Sequence, residues 1–171
     1  MSRVELWGAP LYGDPCRECG FAWSISPQDA VAWVRDFEQH ARVAVGSLTG
    51  DERLGGWSVA EYVSHVGDNL RHWSERVQAA RLSGRTQVAG YDPDALGDAR
   101  GYASIPLQVG LWSAGHAAQR WADVLGAALD EGVELQHVAR GLQRAEDVAR
   151  NNCHDAYHHL WDIRRIASAS E

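Results

Sequence analysis

Apolar residues recur at three- and four-residue steps in four separate stretches of the chain, which is the spacing of amphipathic helices. The first stripe is Ala30, Trp33, Val34, Phe37, Ala41, Val45 and Leu48. Ser26 followed by Pro27 offers a capping oxygen and then a proline that loses nothing at a first helical position, so one helix is predicted from there to about Gly50. The second stripe is Val59, Tyr62, Val63, Val66, Leu70, Trp73 and Val77. Ser58 with Glu61 three residues later forms a capping box ahead of it, and the helix is predicted over 59–82. Leu107, Leu111, Ala114, Ala118, Trp121, Leu125 and Leu129 make a third helix, opened by Ser104 and Pro106 and stopped near Gly132. Ala145, Val148, Ala149, Ala156, Leu160, Ile163 and Ala167 make a fourth, starting near Gln143.

No stretch alternates with a period of two, so the pattern predicts an all-α protein, a four-helix bundle. Gly8, Pro10, Gly13, Pro15 and Gly20 break the first two dozen residues too often for regular structure, and residues 1–25 read as an irregular N-terminal arm wrapped onto the bundle. Residues 26–168 are the bundle, and with the arm they form a single domain spanning 1–171. Residues 83–101, with their glycines, aspartates and Pro93, are predicted as a long connection of the kind that often carries function.

Composition narrows the partners. Sixteen basic and twenty-three acidic side chains give a net charge of −7, which would repel a phosphate backbone and argues against nucleic acid. No run of about eighteen apolar residues exists to span a bilayer, so a membrane is not expected either. All sixteen basic residues are Arg, which excludes lysine Schiff-base chemistry and suggests a GC-rich bacterial source. With three Cys, and a start Met1-Ser2-Arg3-Val4-Glu5 unlike a signal peptide, the expectation is a cytoplasmic protein with reduced thiols.

The chain has eight His, three of them in Cys153-His154-Asp155-Ala156-Tyr157-His158-His159. Positions i and i+4 of a helix share a face, so this segment holds two chelating pairs, Asp155 with His159 and His154 with His158. On a wheel turned about 100° per residue from Ala145, Asp155 and His159 look inward and His154 looks outward. Two ligands hold a divalent ion poorly, and His65, on the shoulder of the second stripe, is the natural third, with Asp68 and Asn69 able to support or border the site. Three N/N/O ligands leave positions open for water or substrate, as catalytic sites do. His154 and His158 stand as alternative ligands if the helix is rotated from this count. Clustered histidines on a helix can also simply be hydrogen-bonded to neighbours.

The segment Trp57-Ser58-Val59-Ala60-Glu61-Tyr62-Val63-Ser64-His65-Val66-Gly67-Asp68 resembles the second-helix signature of the DinB/YfiT-like superfamily of four-helix metalloproteins. In that superfamily the last helix carries a ligand, three residues, then a histidine that is the second of an adjacent pair. Aligned on His158-His159, the resemblance implies His65, Asp155 and His159 as metal ligands. Asp155 stands where many members have His, though mycothiol-dependent relatives also use a carboxylate there. Zinc is the first metal the ligand set implies, with nickel, iron and manganese also suited. Relatives include thiol S-transferases using mycothiol or bacillithiol, so the resemblance implies a small-molecule enzyme that transfers a mycothiol-like thiol to an electrophile. A metal-dependent hydrolase using activated water and a non-catalytic ligand-binding stress protein are the other readings. Homodimers are common among relatives, and nothing in this chain fixes one.

Cys16-Arg17-Glu18-Cys19-Gly20 is a C-x-x-C-G knuckle. A full zinc site would need two further ligands, only Cys153 remains among the cysteines, and the expectation is two reduced thiols in a turn packed on the bundle. Trp33, Trp73 and Trp121 lie on core stripes, whereas Trp112 and Trp161 lie off them and are candidates to line a pocket. His116 is expected to face solvent, Tyr91-Asp92-Pro93-Asp94 to border the site, and Arg164-Arg165 to partner a helix end or an anionic substrate.

Overall fold

In the computed structural model, residues 5–170 are described. Seven α-helices follow in the order α1 (Ala9–Tyr12), α2 (Pro27–Arg35), α3 (Phe37–Val45), α4 (Val59–Ser83), α5 (Pro93–Arg100), α6 (Leu107–Glu131) and α7 (Ala145–Ala169). The fold is a four-helix bundle in which α2 with α3 forms one member and α4, α6 and α7 the others.

The predicted caps are in place. Ser26 Oγ accepts from Asp29 N at 3.0 Å ahead of α2. At α4, Ser58 Oγ accepts from Glu61 N at 3.3 Å while Glu61 Oε2 accepts from Ser58 N at 2.6 Å, the reciprocal capping box. Gly84 and Gly132 stop α4 and α6 in the left-handed conformation. α4 and α6 approach closely because small residues meet at their crossing: a Cβ at Gly67 would sit 3.2 Å from Ala114 Cα. One continuous core runs from Cys16 in the arm through Phe37, Leu70, Trp121 and Leu160 to Ile166.

Several expectations about the elements are corrected, beginning with the arm, which is not wholly irregular because Ala9–Tyr12 forms the short helix α1. The first helix is two, because Asp36 leaves the helical region at φ −92°, ψ 15°, although the apolar stripe runs through the break and both halves pack on α6 and α7. A small sheet exists, of β1 (Gln87–Val88), β2 (Glu134–His137) and β3 (Gly141–Arg144). β1 pairs parallel to β2, with Val88 opposite His137, and β2 antiparallel to β3, with Leu135 opposite Gln143. It was hidden because two of the side chains it buries, His137 and Gln143, are polar, so the strands do not read as apolar alternation. Gln143 therefore lies within β3, which ends at Arg144, and α7 begins at Ala145. The 83–101 connection likewise holds β1 and α5. Among the described residues no helix is long and apolar enough to cross a membrane.

Candidate metal centre

His65 projects from the second turn of α4 and is 5% exposed, while Asp155 and His159 stand one turn apart on α7 and are partly buried. The crossing of the two helices brings the three ligand-type groups within 4.8 Å of one another. His65 Nε2 lies 3.6 Å from Asp155 Oδ2, and His159 Nε2 lies 3.6 Å from Asp155 Oδ1. Those spacings are long for hydrogen bonds. Two donors each about 2.1 Å from one zinc ion sit about 3.4 Å apart, and each imidazole stands near that spacing from one oxygen of Asp155, a different oxygen for each ring. The donor set therefore fits a divalent cation.

The groups around the triad hold it in this geometry. Asp162 Oδ2 lies 3.1 Å from His159 Nδ1, which leaves Nε2 as the free lone pair. Asn69 Nδ2 donates to Asp155 Oδ2 at 2.8 Å, and Asn69 is oriented in turn by the Tyr91 hydroxyl, which donates to its Oδ1 at 3.0 Å. Trp57 lies 4.8 Å from the His65 ring and 6.3 Å from that of His159, and Tyr62 lies 5.2 Å from His159. In the metal-free state, burial alone would lower the His159 imidazole, but the Asp155 carboxylate beside it wins and raises it to about 9. Burial alone would raise Asp155, and the His159 and His65 rings hold it instead well below the usual carboxylate range.

The triad opens on a cavity of about 330 Å³. Trp7, Leu11 and Tyr12 of the arm line it, as do Arg76, His137 and Arg140, the last of which pairs with Glu5 at 3.4 Å. Arg76 has no carboxylate partner among the described residues; its guanidinium lies 5.2 Å from the Trp73 ring and 5.7 Å from that of Tyr91. His137 Nδ1 accepts from Ala139 N and Arg140 N, both at 3.2 Å, and burial, with the two arginines, lowers its pKa.

Of the sequence-predicted residues, His65, Asp155 and His159 converge, Asn69 supports them, and Tyr91 borders them. Asp68 does not, because Arg71, Arg100 Nε at 3.1 Å and the Tyr102 hydroxyl at 2.9 Å hold it on the other side of α4. His154 does not face solvent as expected. It is 5% exposed, covered by Tyr12, Phe21 and Trp23 of the arm, and it groups with His158, Cys16 and Cys19 while also bordering the cavity on which the triad opens. The wheel knew only the bundle, and the arm supplies a second buried side. Trp112 is exposed and Trp161 packs beside Arg165 and His158, so neither lines this cavity. His116 is exposed, and Arg164 and Arg165 rest on Tyr157 and Trp161. Cys153 is buried in the core, which pushes its thiol up to about 12. Arg76 and His137 went unnoticed. For Arg76 a signal existed, since His65, Asn69, Trp73 and Arg76 recur at helical steps on one face of α4.

A solved structure matches this arrangement of helices with a TM-score of 0.74, over 86% of this chain and 90% of the other, at 19% identity. It is YfiT from Bacillus subtilis, described as a probable metal-dependent hydrolase with an unusual four-helix bundle topology. This chain has the YfiT fold. No family model and no curated protein matches the sequence. The likeness to YfiT covers the bundle, and the triad sits where α4 and α7 of that YfiT-type bundle cross.

Proposed function

We propose that this protein is a metal-dependent enzyme in which His65, Asp155 and His159 hold a divalent cation, zinc in the first instance, with nickel, iron and manganese as alternatives. The reading rests on one observation: two imidazoles and a carboxylate with ligand atoms within 4.8 Å of one another on the wall of a cavity large enough for a small molecule. Such a cation lowers the pKa of a thiol or a water and so supplies a nucleophile at neutral pH. The chain's own residues do the rest. Asn69 and Asp162 fix the orientation of Asp155 and His159, Trp57 shields the two imidazoles from water, and Arg76 and Arg140 suit a carboxylate on the bound molecule.

The reaction we assign is transfer of a low-molecular-weight thiol of the mycothiol class to an electrophilic small molecule in a bacterial cytoplasm. The arginines of the cavity suit an electrophilic acceptor that carries a carboxylate. A second reading makes water the nucleophile, and the description of YfiT as a probable hydrolase favours it. Metal-loaded protein incubated with carboxylate-bearing electrophiles, with and without thiol, separates the two. Conjugate formed only with thiol supports transfer, and product released without thiol supports hydrolysis. Electrophile recovered unchanged in both overturns catalysis and leaves a ligand-binding bundle.

A further inference from the structure

The knuckle Cys16-Arg17-Glu18-Cys19-Gly20 is not used by the site just described, and neither are His154 and His158. The structure puts them together. One ligand-type atom from each of Cys16, Cys19, His154 and His158 lies within 4.8 Å of all the others. Gly20, at φ +76°, lets the chain reverse after the second cysteine, and Cys16 N donates to Phe21 O at 2.8 Å, which closes the turn.

Two independent observations point to a missing ligand. His154 Nε2 and His158 Nδ1 are buried and have no hydrogen-bond partner in the protein. A buried polar nitrogen left unpaired is costly, and two of them beside two sulfurs ask for an electrophile that accepts all four lone pairs. The remaining nitrogen of His158 already has carboxylates near it, with Nε2 3.6 Å from Glu18 Oε2 and 3.9 Å from Asp162 Oδ2. Both spacings exceed a hydrogen bond, so these carboxylates stand near the ring as ion-pair partners and leave Nδ1 without one.

We infer that Cys16, Cys19, His154 and His158 form a second, structural zinc site that fastens the N-terminal arm to α7. The donor set is S₂N₂ and the spacing is C-x₂-C followed by H-x₃-H, both of which suit tetrahedral zinc, and four protein ligands leave no position for substrate. Binding replaces the two thiol protons, which leave to solvent, and no electron moves. On this proposal the two ligands that the knuckle lacks are histidines of the last helix. The site also acts at a distance, because Trp7, Leu11 and Tyr12, just ahead of the knuckle, form a wall of the cavity.

The test uses untagged protein purified without chelator. Wild type should hold about two metal ions per chain, and His65→Ala and the double variant Cys16→Ser/Cys19→Ser about one each. Cobalt-loaded His65→Ala should keep the thiolate-to-cobalt charge-transfer band and strong visible absorption of a tetrahedral S₂N₂ site. The double variant should lose both, and its arm should be cut by trypsin at the exposed Arg17 at least about tenfold faster. If the double variant does not fold, the His65→Ala spectrum decides alone. Cobalt-loaded His65→Ala with no thiolate band overturns the proposal. Wild type with one ion and no thiolate band overturns it while leaving the open triad standing. One thiolate-bound ion that survives His65→Ala does the reverse.

Discussion

Helix α7 carries two pairs of ligand-type side chains, offset by one residue and each spaced by one turn, and their surroundings set them apart. Asp155 and His159 meet one donor, His65, and open on a cavity walled by the arm and lined by arginines. His154 and His158 meet two thiols, and Tyr12, Phe21 and Trp23 roof His154. The difference teaches that chelating spacing on a helix specifies only a pair. What packs against each face decides whether that pair becomes an open centre suited to chemistry or a closed one suited to fastening.

The comparison breaks most sharply at His65. His65→Ala should reduce activity by on the order of 10³ or more, because a Lewis acid supplies several kcal/mol to the transition state, while thermal unfolding moves little. A large fall in melting temperature would mean that the open centre is structural too. Asp162→Asn tests how the centres are joined, since its carboxylate lies 3.1 Å from His159 Nδ1 and 3.9 Å from His158 Nε2. Metal affinity at the open triad should fall about 10–100-fold by competition titration, with a smaller loss at the closed cluster.

Arg76→Gln sharpens the reading of the cavity. For a carboxylate-bearing substrate KM should rise about tenfold with kcat nearly unchanged, whereas an equal loss in kcat would place the guanidinium in the reacting step. The smallest effect expected is a control outside both centres. Glu52 accepts from Thr49 N, Thr49 Oγ1 and Gly50 N, and these bonds, chiefly those from Thr49, lower its pKa from 4.5 to about 2. Its folded value lies below the unfolded one, so its contribution is complete above about pH 4.5 and is lost as pH falls towards 2. Urea melts of Glu52→Gln should show a deficit of about 1 kcal/mol at pH 7 that vanishes near pH 2, independent of metal. A deficit that persists at low pH would assign the residue a packing role.

The bundle was legible because Ser26, Ser58 and Glu61, Gly84 and Gly132 mark helix ends by local chemistry that tertiary structure did not override. The triad was legible because His65, Asp155 and His159 sit on long regular helices whose faces can be counted. The rest depended on contacts between segments far apart in the chain. No local signal bends the first helix at Asp36, and nothing near Gln143 announces that it is buried in a strand. His154 was assigned to solvent because a wheel cannot show an irregular arm folding back over it.

That arm bears on how the protein is made. Tyr12, Phe21 and Trp23 leave the ribosome among the first residues of the described chain, and their neighbour His154 lies in the last helix. The contact closes a loop over most of the sequence, which makes it entropically late compared with the pairing of α4 with α6. The cavity wall carried by Trp7, Leu11 and Tyr12 therefore forms only after α7 has been synthesised, so a nascent or C-terminally truncated chain has a bundle in progress but no pocket.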